Sequence, residues 1–443
     1  MTSRDYFKGK RIAMIGLGPH GEMIDDARFL IKNGALLSIY DMRSEARLKS
    51  HLVFLRSVGL ANYVCGSIPA DDLLDMDLVV LSSEYPRDSS FLKPVMEKNI
   101  PIEYAETLFF KLSPPLTLVG VMGSCGKTTV VSMLAPALEA VCAYTRGHEG
   151  SIQSCFVVDP ELKGGILPCL KKARNGDIML MRMTGLIMRE LYHMRISPHV
   201  AIFITVPPKA MFDESPFEIL TYQTYNNFII ASDEVVDATR RYKFNSKAKM
   251  LRTKASMIPM EWDFKGRPHD RDNAALALQA ARLFKVSEDT IQNILESWKP
   301  LKGRLELVRK VKNTEFYNDT ASISPDATIV GMKSLSTDRN LVLIFGGAQS
   351  GSDYQLFYEA LPQYAHTVIL LPGSGTIRER KRFRDVENME ILSVPTIEEA
   401  VLLACDHVRT GDKVLFSPGF DAGGFDASRK ERGERFVRAV KSL

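Results

Sequence analysis

Short apolar runs and helical stripes alternate through the first hundred or so residues. Arg11 to Ile15 is a brief apolar run, after which Ala27, Leu30 and Ile31 recur at helical spacing as far as Gly34, so a strand followed by a helix is expected. Leu36 to Tyr40, ending in Asp41, predicts a second strand, Asp77 to Ser83 a third and Ile100 to Tyr104 a fourth. These runs alternate little between apolar and polar residues. Both faces must therefore be covered, which points to a parallel sheet flanked by helices.

Ser113-Pro114-Pro115 breaks this pattern, since two prolines cannot continue a helix. Beyond it Leu116 to Val121 predicts a strand, and Val130, Val131, Leu134 and Leu138 carry a helical stripe. Strands are expected at Asp177 to Met181, Val200 to Thr205 and Phe228 to Ala231, with an alanine- and leucine-rich helix from Asn273 to Phe284. A second break falls at Trp298-Lys299-Pro300-Leu301-Lys302-Gly303. After it come strands at Thr314 to Tyr317, Asn340 to Phe345, Thr367 to Leu371 and Lys413 to Ser417. The expectation is an α/β chain of three domains, residues 1–112, 113–298 and 299–443.

Composition narrows the class. With 45% hydrophobic and 25% charged residues the chain is ordinary globular protein, neither fibrous nor disordered. A net charge of +4, with no run of five like charges, gives no electrostatic footprint for nucleic acid. No apolar stretch reaches the roughly 18 residues needed to cross a bilayer, and no signal peptide is visible. The six cysteines form no C-x-x-C pair and the eight histidines no close-spaced pair, so neither a disulfide framework nor a zinc site is expected. A cytoplasmic setting fits.

Two glycine-rich turns carry candidate chemistry. Gly16-Leu17-Gly18-Pro19-His20-Gly21 lies between a predicted strand and helix, with Asp41 about twenty residues on. Such glycines let a phosphate approach helix-terminal N–H groups. The motif leaves open whether the ligand is a dinucleotide or another diphosphate such as a UDP-sugar. The second turn, Gly120 to Thr129, also joins a strand to a helix. Backbone N–H groups of Gly123, Ser124, Cys125 and Gly126 can cradle phosphates there, Lys127 can reach the β and γ oxygens, and the Thr128 hydroxyl, followed by Thr129, can hold Mg²⁺. The strict G-x-x-x-x-G-K-[ST] spacing is missed by one place, because Val121 stands where glycine is wanted.

That offset loop resembles the G-x-x-G-x-x-G-K-T-T loop of the Mur ligases, ATP-dependent amide-forming enzymes of peptidoglycan synthesis. The resemblance continues at Arg267 to Ala275, at Leu301-Lys302-Gly303-Arg304-Leu305-Glu306, at Phe316 to Thr320, and at Leu415 to Pro418 followed by Glu431 to Phe436. It covers the whole chain in order. It implies a Rossmann-like first domain, a central P-loop ATPase-like domain and a Rossmann-like third domain. The member that adds D-glutamate to UDP-N-acetylmuramoyl-L-alanine is the most similar, which implies a monomer with ATP, Mg²⁺ and those two small molecules as ligands. Carried over, Lys127 and Thr128 would meet ATP phosphates and Mg²⁺, and Asn273 the adenine. Arg304 and Asp319 would meet the nucleotide, and Gly16, Gly18, Asp41 and Met42 the UDP-sugar.

Several positions depart from the family. Arg182 stands where an acidic metal ligand is expected, Ala210 replaces a metal-binding histidine, and Asn226 aligns with a carbamylated lysine. Thr320-Ala321-Ser322 lacks a lysine, and Ser350 replaces another expected to meet the incoming amino acid. Arg182 could itself neutralise an acyl phosphate, as a fixed positive charge in place of a mobile one. The departures keep a second reading open, a divergent member that ligates another acceptor or none. Met181, Met183, Met188 and Met194 read as adaptable core filler, Cys125 as a small loop residue, and His193 and His199 as structural or exposed.

Overall fold

The computed structural model describes residues 3–18, 21–145, 154–162, 164–206, 215, 217–242, 244, 246–336, 338–348, 353–422 and 429–443. They form two compact units, Met1–Phe264 with Asp270–Trp298, and Lys265–His269 with Lys299–Leu443.

The first unit holds two sheets. Strands β1 (Arg11–Ile15), β2 (Leu36–Asp41), β3 (Asn62–Cys65), β4 (Leu78–Leu81) and β5 (Ile102–Tyr104) lie in the order β3-β2-β1-β4-β5. All their pairings are parallel. The second sheet contains β6 (Thr117–Met122), β7 (Cys155–Val158), β8 (Ile178–Arg182), β9 (Val200–Phe203), β10 (Phe228–Ser232) and β11 (Lys249–Thr253). Its order is β11-β10-β9-β6-β8-β7, again wholly parallel. In each sheet the first strand is central and later strands add on both sides. The loop after that strand therefore sits at a topological switch point, where open α/β sheets bind ligands.

The predicted stripe on the helix Lys127–Thr145 is core: Val130, Val131, Leu134 and Leu138 pack with Ile178, Leu180 and Ile202. Met181, Met183 and Met188 are buried in the neighbouring core, and Met194 packs against it. His199 is structural, since its Nδ1 accepts the Leu118 N–H at 3.0 Å. The two sheets are pinned together by polar contacts as well as packing. Leu167 N donates to Asp26 Oδ1 at 2.7 Å, and Arg87 Nε to Glu190 Oε2 at 2.6 Å.

The second unit has one sheet: β12 (Glu306–Val311), β13 (Thr314–Asn318), β14 (Leu341–Phe345), β15 (Ala365–Leu370), β16 (Glu390–Ser393) and β17 (Lys413–Phe416), ordered β12-β13-β17-β14-β15-β16. Only β12–β13 is antiparallel. Under it, Phe345 stacks on Phe357 at 4.5 Å between ring centroids and Tyr354 on Phe420 at 4.7 Å. Gly419 has φ +65°, and a Cβ there would stand 2.1 Å from the Phe345 ring, so that turn requires glycine.

Five strands carry no pattern that predicts them, β3, β7, β11, β12 and β16, and each is an edge strand. Thr396 caps the helix Ile397–His407 by accepting the Glu399 N–H at 3.2 Å. Thr396→Ala is expected to cost about 1 kcal/mol, measured as a shift in the unfolding midpoint. No described helix is long and apolar enough to cross a membrane.

Candidate active site

The phosphate loop begins where β6 ends. Gly120 lies inside that strand, and a Cβ there would meet Met183 Sδ at 2.4 Å, so its role is packing rather than phosphate approach. The turn glycines are Gly123, at φ +138°, and Gly126, at φ +79°. A Cβ on Gly123 would stand 3.0 Å from Thr205 N, and one on Gly126 2.9 Å from Asn273 Oδ1. Buried Asn273, on the helix Pro268–Leu283, is thus brought against the loop. Thr205, which sequence reasoning missed, pins the loop from just beyond β9. Its Oγ1 accepts Ser124 N–H at 2.9 Å and lies 2.9 Å from Ser124 Oγ. Lys127 folds back over the turn, its Nζ donating to Gly123 O and, at 3.3 Å, to Ser124 O. Cys125 makes no disulfide. Val130 N donates to Gly126 O, so the helix starts within this loop and its N-terminus faces what the loop holds.

Thr128 and Thr129 are buried at the first helical turn, and the Thr128 hydroxyl faces Asp159, which lies one residue past β7 and is fully buried. No other protein group satisfies Thr128 Oγ1 or Asp159 Oδ2. Burial raises the Asp159 carboxyl above its ordinary range, against the pull of the Arg182 guanidinium. Arg182 closes β8, level with Val121 of β6.

The first glycine turn has a different character. Gly16, Gly18 and Gly21 all have positive φ, between +75° and +79°, while Pro19 and His20 lie outside the described residues. Asp41 Oδ2 accepts the Leu17 N–H at 3.0 Å and Arg43 Nη2 at 2.6 Å, and Arg43 Nη1 reaches Gly18 O at 2.9 Å. Burial pushes the Asp41 carboxyl up, but these bonds outweigh it and hold it below the usual carboxylate range. Asp41 therefore orders the turn, Arg43 is its cation, and Met42 is exposed. The Glu22 carboxyl stands 2.3 Å from where a Gly18 Cβ would be, and Ser82 Oγ 2.6 Å from that of Gly16. Arg43 and Ser82 were not singled out from sequence; the Asp-x-Arg spacing after β2 is the signal that would have found the first.

Within the second unit, Arg267 Nη1 donates to Arg304 O at 3.1 Å. Asp319 is buried, accepting Leu305 N–H at 3.0 Å on Oδ1 and the Ser417 hydroxyl at 2.8 Å on Oδ2. Thr320 Oγ1 donates to Asn318 Oδ1 at 2.8 Å, and Ala321 N to Gly303 O at 2.9 Å.

Residues 303–420 match the family model described as Mur ligase, glutamate ligase domain. Over 98% of this chain and 99% of its own length, a Thermoanaerobacter pseudethanolicus protein named UDP-N-acetylmuramoylalanine–D-glutamate ligase is 26% identical. One of the same name from Borreliella afzelii is 27% identical over 99% of both chains. The chain is thus similar along nearly its whole length to Mur ligases, and its residues 303–420 match their glutamate ligase domain. Solved structures share the fold of this chain. A murein peptide ligase from Psychrobacter arcticus gives a TM-score of 0.61 at 15% identity, covering 98% of this chain and 99% of that one. A UDP-N-acetylmuramate–alanine ligase from Thermotoga maritima gives 0.60 at 16%, with the same coverage.

The departures from the family pattern divide in two. Ala210 and Ser350 fall outside the described residues. The alignment of Asn226 with a metal-supporting lysine needs correcting. Asn226 is exposed in the turn before β10, a turn closed by Thr224 N donating to Asn227 Oδ1 at 2.7 Å. Phe228 pairs with Val200 at the start of β9, so Asn226 stands at the sheet edge opposite the phosphate loop.

Proposed function

We propose that the chain is a cytoplasmic, monomeric ATP-dependent ligase that joins D-glutamate to UDP-N-acetylmuramoyl-L-alanine. The observation that carries this reading is similarity along nearly the whole chain to proteins bearing that name, at 25–27% identity. The phosphate loop at the switch point of the second sheet supports ATP as the energy source. Residues 1–112 would take the UDP-sugar through Gly16, Gly18, Asp41 and Met42. Residues 113–298 would take ATP through Gly123 to Thr129 and Asn273. Residues 299–443 would bring the amino acid, with Arg304 and Asp319 on the nucleotide.

The substrate carboxylate attacks the γ-phosphorus, breaking the β–γ bond and releasing ADP. The D-glutamate amine then attacks the acyl phosphate carbonyl, loses a proton and expels phosphate. Positioning and charge neutralisation do most of this work. Lys127 and the loop N–H groups meet the phosphates, and Arg182 faces the acyl phosphate. Mg²⁺ fits this loop because Thr128 presents a buried hydroxyl oxygen at the helix start, facing only the Asp159 carboxylate. When bound, the ion neutralises phosphate charge.

The test is ADP release with UDP-N-acetylmuramoyl-L-alanine as carboxylate donor and a panel of amino acids. Release that requires D-glutamate is expected. Release with a different amino acid would move the reading to another acceptor, as the missing lysine in Thr320-Ala321-Ser322 allows. No release with any amino acid would leave a non-catalytic nucleotide binder.

A further inference from the structure

We propose that Asp159 is the carboxylate that completes a magnesium site with Thr128, reached from β7 because the β8 position is filled by Arg182. The proposal rests on the ATP-binding reading of the phosphate loop. Mg²⁺ is a hard cation usually held by one or two carboxylates together with phosphate oxygens and water. At the end of β8, where the family resemblance expects the acid, this chain has a permanent positive charge. The strand outside it supplies one instead.

The register shows how. Val158 of β7 pairs with Met181 of β8, so Asp159 comes level with Arg182, which is itself level with Val121 of β6. All three strands are parallel, and the helix Lys127–Thr145 begins beyond their shared C-terminal edge. Asp159 and Thr128 are thereby delivered to one place by two separate elements. Asp159 Oδ1 accepts the Glu161 N–H at 2.9 Å, which fixes the carboxylate plane and leaves Oδ2 for a ligand. Both Oδ2 and Thr128 Oγ1 are buried, and the Thr128 hydroxyl faces the Asp159 carboxylate, with no other protein group satisfying either atom.

A structural aspartate in the same sheet looks different. Asp177 is also buried, but both its oxygens are committed, Oδ1 to Ser154 N and Oδ2 to Arg174 N, each at 3.0 Å. A buried polar atom left incompletely satisfied costs about 1–3 kcal/mol, and here the Thr128 hydroxyl and the Asp159 carboxylate have only each other. Two oxygen ligands converging from separate elements suit a hard cation that both can meet. The Arg182 guanidinium favours the ionised form of Asp159, and among the described residues it forms no ion pair with it. That neighbouring charge also opposes a second cation, so the ion should bind with the nucleotide phosphates rather than to the bare protein.

The test uses the full chain with Mn²⁺ in place of Mg²⁺, titrated in the presence of saturating ADP and read by the electron paramagnetic resonance signal of the free ion. ADP binding is measured separately in EDTA. The native chain and Asp159→Asn should bind ADP alike without metal, while the variant should lose at least about tenfold in Mn²⁺ affinity, the lower end of what removing even an outer-shell partner costs. Equal Mn²⁺ affinity in the two overturns the assignment of Asp159 and leaves the phosphate loop standing. Failure of the native chain to bind ADP either in EDTA or with Mn²⁺ overturns both. Asp159→Cys gives a second route should the asparagine variant not fold. A thiolate there prefers softer ions, so Cd²⁺ should bind the ADP complex of this variant more tightly than that of the native chain. No such gain counts against the proposal.

Discussion

Lys127→Ala is expected to lower turnover about 10²–10³-fold, the usual effect of removing one preorganised charge contact from a reacting centre. In the structure the Lys127 ammonium rests on the carbonyls of Gly123 and Ser124, the two residues that shape the turn. It is therefore held over the loop before any phosphate arrives, and only a short movement from carbonyl to phosphate oxygen is needed. The fold should be indifferent to the change. Lys127 is half-buried at a helix start, whereas the packing of that helix comes from Val130, Val131, Leu134 and Leu138 further along. Steady-state ADP release, with the melting temperature as control, separates the two effects. Near-native ADP release by the variant would remove the phosphate-loop assignment.

How much of this was legible in sequence follows burial. The central strands β1, β4, β6, β9 and β14 are continuous apolar runs because helices cover both faces, and each is apparent as a run. The strands that escaped are edges. β12 reads Glu306-Leu-Val-Arg-Lys-Val311 and β11 Lys249-Met-Leu-Arg-Thr253, with much of each exposed. An edge strand has only one neighbour, so its residues need not be apolar on both faces, and the pattern fades. β7 is different: its Cys155-Phe-Val-Val158 is apolar, and nothing in that pattern explains why it escaped.

The same physics decided which candidate residues could be singled out from the sequence. Gly123, Gly126, Lys127 and Thr128 are adjacent in sequence, so one motif carries them all. Asn273 came from a second motif, and the structure places it against Gly126. Asp159 and Thr205 each stand just past a strand end, separated in sequence from the loop they serve, and nothing near them repeats a spacing. Only the parallel register of β7, β8, β6 and β9 brings them in. The Asn226 correction has the opposite cause. Counting residues through an irregular segment carried a ligand position into a turn at the wrong edge of the sheet.

Asp319→Asn is expected to remove a pH-dependent loss of stability worth about 3 kcal/mol, from roughly two pKa units at about 1.4 kcal/mol each. Asp319 is buried between β13 and β17, and burial pushes its carboxyl up to about 6, despite hydrogen bonds from Ser322, Ser417 and the Leu305 N–H and the nearby Arg304 charge. An unfolded aspartate titrates near 3.9. The folded chain therefore holds this proton more tightly than the unfolded one. The stability it contributes is complete below about pH 4 and is lost as pH rises through about 6. Asparagine is neutral throughout. Its Oδ1 can still accept the Leu305 N–H, and its amide can donate to the Ser417 hydroxyl, which is then free to turn its one proton to Thr328 Oγ1, 3.0 Å away. Relative to the native chain the variant should therefore gain stability between pH 4.5 and pH 7.5, with little difference at the acid end. Urea unfolding of both proteins at the two pH values measures this. A difference between them that does not change with pH would mean that Asp319 is ionised at no cost, its charge met fully by the groups around it.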